Sequence, residues 1–75
     1  MFTFQMLDND GTNIIYSFLP EESQAEGLAS INIATGQATL IKITESVMSN
    51  GKILRLLREM HAANNYLESG YLSWY

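Results

Sequence analysis

The sequence predicts an α+β domain in two layers: a four-strand antiparallel meander plus a short C-terminal strand, with one helix of the C-terminal half packed on one face. Three observations carry this. Apolar residues alternate at period two through the first 44 positions, turn-forming residues cut that stretch into short segments, and from Ser46 onward the apolar spacing changes to three and four.

The first strand is expected at residues 2–7, with Phe2, Phe4 and Met6 on one face and Thr3 and Gln5 on the other. Asp8-Asn9-Asp10-Gly11 supplies short polar side chains that bond their own backbone and a glycine tolerant of positive φ, the chemistry of a hairpin turn. A second strand at 12–19 directs Ile14, Tyr16 and Phe18 one way and Ile15, Ser17 and Leu19 the other, and Pro20 ends it. Residues 20–27 are polar and acidic and read as an exposed loop. A third strand at 28–34 sets Ala29, Ile31 and Ile33 against Leu28, Ser30 and Asn32, and Gly36 takes the left-handed position of the next turn. A fourth strand at 38–44 completes the meander, with Thr39, Ile41 and Ile43 on one face and Ala38, Leu40 and Lys42 on the other.

The helix is set by Ile53, Leu56, Leu57, Met60, Ala63 and Leu67. Ser46 and Ser49 can both cap its start, and Ser46 is chosen. Asn64-Asn65 tolerate the left-handed conformation and mark its end, although the spacing permits one more turn to Leu67. Glu68-Ser69-Gly70 then reads as a turn. Residues 71–75 read as a fifth strand, with Leu72 and Trp74 facing the helix and Tyr71 and Tyr75 facing away.

At 75 residues the chain has room for one domain, 1–75, and one core. Cores of this size seldom supply more than ~3–5 kcal/mol, and without cysteine neither a disulfide nor a thiolate zinc site supplements them. Absence of cysteine fits a reducing compartment, and the start lacks the pattern of a signal peptide, so a cytoplasmic location is expected. No apolar run approaches the ~18 residues of a membrane span. Net charge is −4, unevenly placed: residues 1–41 hold Asp8, Asp10, Glu21, Glu22 and Glu26 with no Lys or Arg. Lys42, Lys52, Arg55 and Arg58 face only Glu45, Glu59 and Glu68 in the remainder. A sheet with Lys42 as its one cation has almost no phosphate donors, which argues against nucleic acid as a partner.

The chemistry-bearing residues are few. His61, the one histidine, falls at the border of the apolar stripe, where a histidine in water or near the helix C-terminus, which favours its cation, is the expected reading. Asp8-Asn9-Asp10-Gly11 has too few ligands for an EF-hand loop and lacks its terminal Glu, position 17 being Ser17. The Glu21-Glu22-Glu26 group reads as a solvated loop. Glycine-rich phosphate loops, nucleophile elbows and His-Glu-x-x-His pairs are all missing, so no catalytic, metal or cofactor residue is nominated and a non-enzymatic role is favoured.

The meander with its Thr35-Gly36 turn, followed by a helix and the segment Gly70-Tyr71-Leu72-Ser73-Trp74-Tyr75, resembles small bacterial domains of unknown function that end in Trp-Tyr. The resemblance implies the fold and carries no activity.

The expected function is protein–protein contact, first of all as a homodimer and otherwise with another protein. A small-ligand or enzymatic module using a helix–sheet crevice is the alternative. If Phe4, Tyr16, Ile31 and Ile41 pack under the helix, alternation places Ile15, Leu19, Leu40, Tyr71 and Tyr75 on the open sheet face, the candidate interface.

Overall fold

A computed structural model of the chain describes residues 1–74. It contains strands β1 (Phe2–Asn9), β2 (Asn13–Pro20), β3 (Gly27–Asn32) and β4 (Ala38–Lys42), the helix α1 (Val47–Ala63), and β5 (Ser69–Leu72). The strands form one antiparallel sheet in the order β4-β3-β2-β1-β5, and α1 packs on one face of it. This is the α+β architecture expected from the period change at Ser46.

The alternation of β1, β2 and β3 places Phe2, Phe4, Ile14, Tyr16, Phe18, Ala29 and Ile31 under the helix, where Ile53, Leu57 and Met60 meet them. The three phenylalanines and Tyr16 contact edge to face, with Phe2 and Phe18 centroids 5.8 Å apart and Phe4 and Tyr16 6.1 Å apart, the arrangement favoured by the ring quadrupoles. Leu72 and Trp74 both pack against this core, Trp74 lying 5.7 Å from the Phe2 ring, as their shared phase requires.

Ser46 is the N-cap, its hydroxyl accepting from the Ser49 N–H at 3.2 Å. The helix ends at Asn64, which takes the left-handed conformation with φ of 51°. Leu67 and Ala63 are therefore exposed, outside the buried stripe.

Two elements depart from the expected layout. In β4 the face is inverted: Ala38 and Leu40 pack toward the core and Ile41 points to solvent. Register is the cause. The Asn32 N–H donates to the Gln37 carbonyl, Gly36 adopts φ of +76°, and β4 leaves this turn with Ala38 opposite Ile31 and Leu40 opposite Ala29. Cross-strand partners share a face, so Ile31 and Ala29 carry Ala38 and Leu40 inward. A bulge at Ile41 then returns Lys42 to the open face beside Leu28. The second departure is β5, which occupies Ser69–Leu72 where a turn was expected, paired with β1 so that Phe4 faces Gly70. A Cβ on Gly70 would lie 2.9 Å from the Phe4 ring, so the close strand approach requires glycine there.

Candidate interaction surface

The sheet's β4 edge runs into a corner of four residues before α1 begins, and that corner is fixed by polar bonds. Thr44, buried at the turn, donates its N–H to Asn50 Oδ1 at 2.9 Å and its hydroxyl to the same oxygen at 2.7 Å, and its carbonyl accepts from Asn50 Nδ2 at 3.0 Å. The Ser46 N–H donates back to Thr44 Oγ1 at 3.1 Å, and the Ser46 hydroxyl donates to Ser49 Oγ at 2.9 Å. Every hydrogen-bonding group of the Thr44 backbone is thereby satisfied by side chain alone. With Thr44 held inward, its neighbour Ile43 points out.

The result is a run of apolar side chains left in water. Ile41 is 54% exposed, Ile43 70%, Val47 84% and Met48 56%. Helical phase accounts for the last two: Ser49, Ile53, Leu57 and Met60 form the buried stripe, and positions 47 and 48 fall off it. β4 is also an outermost strand, so one side of its backbone has no partner strand among the described residues.

The open sheet face is less apolar than the sequence suggested. Ile15, Leu19 and Tyr71 do lie on it: Tyr71, Thr3 and Leu19 form one cross-strand row, and Ile15 stands beside Ser30. Leu28, between Ser17 and Lys42, joins them. Leu40 does not, because the register of β4 turns it to the core side. Tyr75 lies outside the described residues. Ile15 and Leu28 are half-buried and Ser17 is buried, so Tyr71 and Leu19 are the face's well-exposed apolar groups, set among Thr3, Gln5, Thr39 and Ser69. Sequence reasoning thus missed Ile41, Ile43, Val47 and Met48, although the helical phase marked Val47 and Met48 as outward.

Three titratable residues, His61, Tyr16 and Asp10, are bonded to backbone and committed to structure. His61 Nε2 lies 3.0 Å from the Ile33 carbonyl oxygen, and its ring sits against Gly36, where a Cβ would come within 2.7 Å of it. The histidine lies in the last turn of α1, as expected, but is half-buried rather than in water and latches the end of α1 to the β3–β4 turn. The Tyr16 hydroxyl donates to the Leu67 carbonyl at 2.7 Å, tying β2 to the segment that leads into β5. Its pKa is pushed up to about 12, chiefly by burial and secondarily by the nearby Tyr66. Asp10 Oδ1 accepts the Thr12 and Asn13 N–H groups, each at 2.8 Å, which occupies one of its carboxylate oxygens in the turn. Among the described residues no group of three or more His, Asp or Glu is placed to hold a metal ion, and no helix is long and apolar enough to cross a membrane.

Comparison with family models, curated proteins and solved structures finds no match to this chain.

Proposed function

We propose that this protein works through protein–protein contact and that its first partner is a second copy of itself, joined at the β4–α1 corner. The observation that carries the reading is the run Ile41, Ile43, Val47 and Met48, four apolar side chains each more than half exposed on a backbone pinned by Thr44 and Asn50. Four exposed apolar groups within the eight positions 41–48 fit a contact surface, and a rigid support lowers the ordering cost of covering them.

Charge favours a copy of the same chain. Lys42, which closes β4 on its open face, and Glu45 in the corner are one cation and one anion, so residues 41–48 carry no net charge and can meet their own copy across a two-fold without net like-charge repulsion. The unpaired backbone of β4 adds hydrogen-bonding groups that an antiparallel β4 from the partner satisfies. A small cysteine-free core gains stability from the additional burial.

Sedimentation at micromolar concentration tests this directly. Twice the chain mass is expected for the native protein, and the monomer mass for Ile43→Asp and for Val47→Asp, with their secondary structure retained. A native protein that stays monomeric defeats the reading. A dimer that survives both substitutions but is lost in Tyr71→Asp moves the contact to the open sheet face.

A further inference from the structure

The C-terminal segment crosses beside α1 and leaves a crevice of about 150 Å³. Leu56, Leu72 and Trp74 form its apolar part, and Lys52, Arg55 and Glu59 form its charged rim. We propose that this crevice is a binding site for a benzene-sized apolar group that carries a carboxylate.

Size sets the first half of that description. A volume of ~150 Å³ is that of a protein cavity that holds a single aromatic ring, and Leu56, Leu72 and Trp74 offer such a ring apolar walls. Trp74 supplies an aromatic wall, and the Phe2 ring packs against the indole at 5.7 Å and helps to hold it in place.

Charge sets the second half. The Lys52 ammonium stands 5.9 Å from the Trp74 ring centroid, and none of the carboxylates among the described residues is within ion-pair distance of it. Arg55 spends its Nε–H on Glu59 Oε1 at 3.1 Å, which leaves the outer guanidinium nitrogens available as donors. Two cations against one carboxylate give the rim a net positive charge in a chain whose total is −4. An anion attached to the ring meets Lys52 and the free side of Arg55, whereas an attached ammonium meets two like charges. Glu59 opposes the anion, and Arg55 partly neutralises it. This site shares no residue with the β4–α1 corner and stands or falls independently of the dimer.

Trp74 is the one tryptophan of the chain, so its fluorescence reports the crevice without labelling. The intact protein is titrated with phenylacetate, with acetate, and with benzylamine. A saturable change of Trp74 emission is expected for phenylacetate, with at least tenfold weaker responses to acetate, which lacks the ring, and to benzylamine, which reverses the charge. Lys52→Met and Arg55→Gln, both checked for retained folding by circular dichroism, are each expected to weaken phenylacetate several-fold or more, and Glu59→Gln to strengthen it.

A free small acid and the C-terminus of a peptide share this chemistry, so acetyl-Gly-Gly-Phe is compared as the free acid and as the amide. Binding of the free-acid peptide tenfold tighter than phenylacetate, and lost in the amide, assigns a chain terminus. Equal affinity for peptide and phenylacetate assigns a small acid. A response that does not saturate, that is equal for benzylamine, or that is unchanged in both Lys52→Met and Arg55→Gln overturns the site.

Discussion

The middle of the sheet and the β4–α1 corner are built on opposite terms. In β2 and β3 one face is wholly committed to packing: Ile14, Tyr16, Phe18, Ala29 and Ile31 are buried against α1, while Asn13, Ser30 and Asn32 stand on the other face with Ile15, Leu19 and Leu28. At the corner, Thr44 and Ser49 are inside and Ile41, Ile43, Val47 and Met48 outside. A hydrogen-bond network holds the corner where packing holds the sheet. The inversion is tolerated because each buried polar group there has a partner, and it leaves apolar surface free for another molecule.

The largest consequence of the contrast is in stability. Leu57 is fully buried among the sheet aromatics, and Leu57→Ala should cost about 2–5 kcal/mol through lost transfer energy and the cavity left behind. Val47→Ala, on the same helix but exposed, should change monomer stability by less than ~0.5 kcal/mol. Urea denaturation of the two variants at a concentration where the protein is monomeric measures both. A comparable loss from each would mean that Val47 is packed within the monomer, and the corner would then cease to be a free surface.

A smaller effect tests what holds the corner. Asn50→Ala removes three hydrogen bonds to Thr44 and leaves its N–H and carbonyl without protein partners, which should cost about 2 kcal/mol. Amide hydrogen exchange locates the effect: the Thr44 N–H should lose its protection, while Ile14 and Ile31 in the sheet centre change only as global stability does. If Thr44 stays protected in the variant, its amide has another partner and Asn50 does not fix the corner.

How far the sequence disclosed this arrangement differs along the chain for physical reasons. For β1, β2 and β3 the period-two pattern determined the buried face, because large residues such as Phe4, Tyr16 and Ile31 share one phase and polar ones the other. The helix start at Ser46 and end at Asn64 were legible from cap chemistry. β4 misled because Thr39, Ile41 and Ile43 look like the packing face, whereas the turn at Gly36 delivers Ala38 and Leu40 to the core. Register is set by turn geometry, and a slip of one residue exchanges the faces. The start of β5 hid behind Ser69 and Gly70, residues that usually signal a turn and here permit contact with Phe4. For the candidate interface, Ile15, Leu19 and Tyr71 followed from alternation. Leu40 failed with the β4 register, and the Thr44–Asn50 network that creates the corner depends on a spatial contact that no local pattern encodes.

The finest comparison lies within the sheet, between its two hairpin turns. In the β1–β2 turn Asp10 Oδ1 accepts the N–H groups of Thr12 and Asn13, two and three residues on, both at 2.8 Å. In the β3–β4 turn Asn32 Oδ1 accepts those of Ala34 and Thr35 at the same offsets, at 2.9 and 3.0 Å. The geometry is shared and the charge is not. The bonds from Asn13 and Thr12 hold the Asp10 carboxyl below its ordinary value of 3.8, so the folded state favours the ionised form more than the unfolded chain does. Its contribution to stability is then present above about pH 3.8 and is lost as pH falls through the depressed folded value. Asp10→Asn keeps the acceptor and removes the titration, so the stability difference between wild type and variant should shrink on going from pH 6 to pH 3. Asn32→Asp should give the second turn the acid sensitivity of the first. Urea midpoints at the two pH values measure both, and the effect should be small because each turn is exposed. A wild-type-minus-Asp10→Asn difference that stays constant with pH would show that the carboxylate's charge adds nothing to the turn beyond what the Asn32 amide provides.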